Sequence, residues 1–77
     1  MTTESLKILQ TFGWDSVSYK VLIQAKSGNR YLLWYYYPLA IEVGQEVLIN
    51  FNYNTWVQIN NPRNGKSSQI HQVSKIS

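Results

Sequence analysis

Along most of this chain, apolar and polar positions alternate with a period of two. Val17, Tyr19, Val21, Ile23 and Ala25 alternate with Ser18, Lys20, Leu22, Gln24 and Lys26. Successive side chains of a strand point to opposite faces, so this pattern predicts a strand with one buried face. Ser27-Gly28-Asn29-Arg30 follows, and its central Gly-Asn pair is a hairpin-turn signal that requires Gly28 at positive φ. The second arm, Tyr31 to Tyr37, is apolar or aromatic on both faces.

A two-residue loop would pair Ala25 with Leu32, Ile23 with Trp34 and Val21 with Tyr36, giving one apolar face toward the core. The other face would then pair Lys26 with Tyr31, Gln24 with Leu33, Leu22 with Tyr35 and Lys20 with Tyr37. A three-residue loop would shift the pairing by one and send the aromatics of the second arm to the opposite side. On the two-residue register, the outer face carries three tyrosines beside two lysines. An apolar patch rimmed by charge is an interaction signal.

The remaining segments read in the same way. Leu6 to Phe12 predicts a first strand, broken by Gly13 and Asp15. Pro38 ends the third strand, because it cannot donate to a ladder. Leu39 to Val43 is a connector, and Gly44-Gln45 turns into a strand over Glu46 to Tyr53, with Val47, Ile49, Phe51 and Tyr53 on one face. A three-residue loop, Asn54-Thr55-Trp56, would pair Phe51 with Ile59 and leave Trp56 at its tip. Asn60 to Ser68 is a loop, with Pro62 and Asn64-Gly65 as turn residues. Ile70, Val73 and Ile76 recur at a spacing of three, which suits a helix or a strand with a bulge. A final strand is preferred, because the earlier strands need a partner to close the sheet.

Short strands separated by turn signals predict an all-β domain, a small five- to six-stranded antiparallel barrel. The order of strand, long hairpin, brief connector and second hairpin resembles the OB-fold. An SH3-like barrel is the alternative, since only Pro38 to Val43 remains for the helix usual between the third and fourth OB strands. The predicted core contains Val21, Ile23, Trp34, Tyr36, Ile49, Phe51 and Ile59.

Seventy-seven residues make one small domain, too thin for a deep catalytic cleft with a supporting shell. The chain has no cysteine, which removes disulfides, thiolate metal sites and cysteine nucleophiles. Its N-terminus lacks a basic region followed by an apolar run, and no apolar stretch approaches a membrane span, so a soluble cytoplasmic protein is expected. The net charge of +3 permits acidic partners without demanding them.

Candidate chemistry is scarce. Glu4, Asp15, Glu42 and Glu46 form no pair suited to general acid and base roles, and His71 alone reads as a surface residue. No enzyme, cofactor or metal is expected. Aromatic and basic residues are interleaved, and single-stranded nucleic acid binds such surfaces by stacking bases on rings and running phosphates past cations. The candidate set is Lys20, Lys26, Tyr31, Tyr35 and Tyr37 on the hairpin, flanked by Trp56, Arg63 and Lys66. The two readings are a module for single-stranded DNA or RNA, and a module that buries the same face against another protein or a second copy of itself.

Overall fold

The computed structural model describes the backbone of all 77 residues and every side chain except that of Asp15. The chain is all-β: β1 (Thr2–Asp15), β2 (Ser18–Gln24), β3 (Arg30–Tyr35), β4 (Glu46–Asn52), β5 (Thr55–Asn61) and β6 (Lys66–Lys75). Two three-stranded meanders join through β3–β6 and β1–β4 into a closed antiparallel barrel in the order β1-β2-β3-β6-β5-β4. This is a small OB-like barrel with six strands, and closure leaves no unpaired edge. Among the described residues no helix is long and apolar enough to cross a membrane.

Closure depends on β1, which is longer than its apolar pattern predicts. Its first half pairs with β4 and its second half with β2, and Lys7 sits opposite both Glu46 and Gln24. Irregularities between Ile8 and Gln10 and between Thr11 and Gly13 bend the strand from one neighbour to the other. Gly13 takes φ 74° at the second bulge, so it bends β1 where the sequence suggested that it ends it.

The β2–β3 hairpin departs from the two-residue register. Ala25 N–H donates to Asn29 O, and Gly28 N–H donates to Ala25 O, both at 2.9 Å. The loop is therefore Lys26-Ser27-Gly28, with Gly28 at φ 96° as expected. The ladder becomes Ile23↔Tyr31, Leu22↔Leu32, Val21↔Leu33, Lys20↔Trp34 and Tyr19↔Tyr35. One residue of loop length moves every side chain of β3 to the other face. Leu33 and Tyr35 are core residues, whereas Trp34 and Tyr36, predicted for the core, are half-buried and exposed on the outside.

The second hairpin also turns differently. Asn52 pairs with Thr55 around a two-residue Tyr53-Asn54 turn, and an irregularity between Asn50 and Phe51 restores Ile49 opposite Ile59. Trp56 thus lies within β5 opposite Phe51 and packs on it, so it is not a loop-tip residue. In β6, Trp34 pairs with Gln72 and Tyr35 with Ile70, which leaves His71 as the extra residue of a bulge. That bulge explains the three-residue spacing: both Ile70 and Val73 pack against the core from one strand.

The core is Leu6, Ile8, Val21, Ile23, Leu33, Tyr35, Val47, Ile49, Phe51 and Ile59, with Leu39 added from the connector between β3 and β4. A buried polar network holds that connector. Asn61 Nδ2 donates to Leu39 O at 2.8 Å, Gln45 Nε2 donates to Asn61 Oδ1 at 2.9 Å, and Gln45 Oε1 accepts from Glu42 N–H at 2.8 Å. These bonds satisfy backbone groups that a non-helical connector would otherwise leave bare.

Candidate functional site

The outer wall of β1, β2 and β3 carries one strip of rings and cations. Lys20 pairs with Trp34 across the hairpin, so both point outward in the file opposite Val21 and Leu33. Phe12 is set beside them by the second bulge of β1, as the residue between Thr11, opposite Val21, and Gly13, opposite Lys20. The Lys20 ammonium lies 4.9 Å from the Phe12 ring centroid and 5.5 Å from that of Trp34. Cation–π attraction holds the side chain between the two rings.

Beyond Trp34 the strip continues through Tyr36, whose hydroxyl lies 2.7 Å from His71 Nδ1 and whose ring is 5.1 Å from the imidazole. Ser68 fixes this end of the strip, its hydroxyl accepting from the backbone N–H groups of both Tyr36 and Tyr37 at 3.0 and 3.1 Å. Toward the other end, half-buried Leu22 and Leu32 face each other, followed by Gln24 opposite Arg30. Gln24 Oε1 accepts from Arg30 Nε at 3.3 Å, and Lys7 on β1 is opposite Gln24. The strip thus presents Phe12, Trp34, Tyr36 and His71 with Lys20 at one end, and Lys7 with Arg30 at the other.

The candidates expected from the sequence do not share one surface. Lys20 is in the strip. Tyr31 and Tyr35 are not, because the hairpin register turns both inward: Tyr35 is buried and stacks on Tyr19 at 5.6 Å, and Tyr31 is half-buried against Trp56 at 4.8 Å. Burial pushes the Tyr35 phenol up to about 12, with Tyr19 adding to the shift. Tyr37 is exposed just past β3, and Lys26 is exposed in the β2–β3 loop. Trp56 lies near the start of β5 while Arg63 and Lys66 lie beyond its end, so these three do not converge. Arg63 is 3.8 Å from Glu42, with both side chains largely in solvent.

The sequence reading missed Phe12, Trp34, Tyr36, Arg30 and Lys7. The three-residue loop parity would have found Trp34 and Tyr36. No family model, no curated protein and no solved structure matches this chain. Among the described residues no group of three or more His, Cys, Asp or Glu is arranged to hold a metal ion. What the wall offers chemically is stacking area and positive charge.

Proposed function

We propose that this chain is a non-catalytic module that binds single-stranded nucleic acid along the outer wall of β1, β2 and β3. The observation that carries the reading is Lys20 held between Phe12 and Trp34, with Tyr36 next on the same face. Half-exposed rings on a rigid sheet are stacking platforms that tolerate any base. An ammonium between two of them reaches a phosphate when a base takes its place on a ring. Lys7 and Arg30 extend the positive track along the same wall, and the net charge of +3 favours a polyanion. A cytoplasmic location accords with the cysteine-free composition.

The test is a fluorescence titration of the protein with short single-stranded oligonucleotides at two salt concentrations, accompanied by sedimentation. Saturable, salt-sensitive binding that Trp34→Ala and Lys20→Ala each weaken supports the reading. Failure to bind at tens of micromolar protein in low salt overturns it. A concentration-dependent dimer that shields Trp34 from quencher would replace it with self-association through the same strip.

A further inference from the structure

At the end of the barrel away from Tyr36 a bowl is lined by residues of β1, β3, β4 and β5 and of the adjoining turns. Leu6, Glu4 and Thr2 continue one file of β1 to the rim, Phe51 closes that of β4, and Tyr53 follows in the exposed turn after it. Tyr31 comes from β3 and Trp56 from β5. Together they line a bowl of about 310 Å³. Trp56 forms a corner in it, with the Tyr31 ring tilted at 58° and centroids 4.8 Å apart, and the Phe51 ring at 68° and 4.9 Å.

Two features of the bowl are unusual for a structural surface. Among the described residues that line it, Glu4 is the one carrying a formal charge, and no lysine or arginine joins it. Glu4 shares the inward parity of core residue Leu6, where an apolar residue would serve packing better. At the rim, Tyr53 holds φ 57° while its side chain is 94% exposed. A tyrosine gains no burial there and stands in a backbone region that side chains seldom adopt.

We infer that this mouth is a binding site for a small organic ammonium cation, such as a quaternary or methylated amine. Ring faces are electron-rich and attract a cation that is weakly hydrated, and Tyr31, Trp56 and Tyr53 bring rings to the bowl from three different segments. The Glu4 carboxylate supplies the countercharge at the rim. Tyr53, at the hairpin tip, supplies a further ring from the solvent side. The mouth and the outer strip are separate surfaces, because Tyr31 faces inward from one end of β3 while Trp34 faces outward near the other. The site therefore stands or falls independently of nucleic-acid binding.

The experiment is an NMR titration of the intact protein with choline chloride, following the Trp56 indole N–H against a sodium chloride control of equal ionic strength. Saturation in the millimolar range is expected, with the neutral carbon isostere dimethylbutanol binding about tenfold more weakly. Glu4→Gln and Tyr53→Ala, both at exposed positions, should each weaken choline binding several-fold without changing the melting temperature. Equal affinity for the neutral isostere would overturn the inference in favour of a plain apolar pocket. So would the absence of saturation by about 50 mM, or shifts confined to the Trp34 indole.

Discussion

Gln45 Nε2 donates to Asn61 Oδ1 at 2.9 Å, and both side chains are buried. This bond ties the β3–β4 connector to the end of β5. Asn61 also donates to Leu39 O and accepts from Arg63 N–H at 3.0 Å, so one amide organises two loops. Asn61→Ala would take the Asn61 Oδ1 acceptor from buried Gln45 Nε2 and from Arg63 N–H, while Leu39 O would keep its bond from Asn64 Nδ2, at about 1–3 kcal/mol for a buried group left unsatisfied. Urea unfolding should therefore show a loss of about 1–3 kcal/mol. The loss from Gln45→Ala should not add to it, because the two share one network.

Gly28 sits at φ 96°, and a Cβ built on it meets nothing within 4 Å. The cost of Gly28→Val is thus conformational rather than steric. About 1–2 kcal/mol of destabilisation is expected for forcing a side chain into the left-handed region. Gly28→Asn should cost less, since asparagine tolerates that region better. Paired thermal melts of the two variants give the comparison.

Ile49 and Ile59 face each other across the β4–β5 ladder, and both are fully buried. Truncating Ile49 to Ala should cost about 2–5 kcal/mol, a large share of what a domain of this size has in hand. Circular dichroism melts of the variant should show a fraction already unfolded at ambient temperature.

Burial pushes the Tyr35 phenol up to about 12, against an ordinary value near 10. The folded state therefore holds this proton more tightly than the unfolded chain does. Its contribution to stability is complete below pH 10 and is lost as pH rises from 10 through 12. An alkaline absorbance titration should show a late tyrosinate component that is missing in Tyr35→Phe. That variant should also lose less stability than the native protein over the same interval.

On the outer wall, Trp34→Ala should weaken binding of a single strand by about 1–3 kcal/mol through lost stacking, whereas Tyr35→Phe should leave it unchanged. With Lys7, Lys20 and Arg30 each meeting one phosphate, log K should fall against log salt with a slope of about −2. Lys20→Ala should flatten it by roughly one third of that value. Titrations at several salt concentrations measure both quantities.

The alternation from Val17 to Lys26 determined β2, and the same reading determined β4 from Glu46. The Ile70–Val73 spacing permitted a bulged strand as well as a helix, and the position of β6 between β3 and β5 selected the strand. Gly28 was legible as a turn residue because only local sterics decide it. The sequence thus determined an all-β domain, Gly28 as a turn glycine, and Val21, Ile23, Ile49 and Ile59 as core residues.

Tertiary structure alone decided the face of β3. Tyr31 to Tyr37 is apolar on both sides, so its own pattern favours neither parity, and the segment accommodates a two-residue Gly28-Asn29 loop as readily as the three-residue Lys26-Ser27-Gly28 loop. A barrel this small is filled by its own side chains. Its interior takes Leu33 with Tyr35, and the bulkier pair, Trp34 and Tyr36, goes outside. The same choice sets Lys20 against Trp34, and the bulge in β1 brings Phe12 beside them. The surface strip follows from the register of the hairpin, and the closed barrel holds that register from both edges of β3, by β2 on one side and β6 on the other.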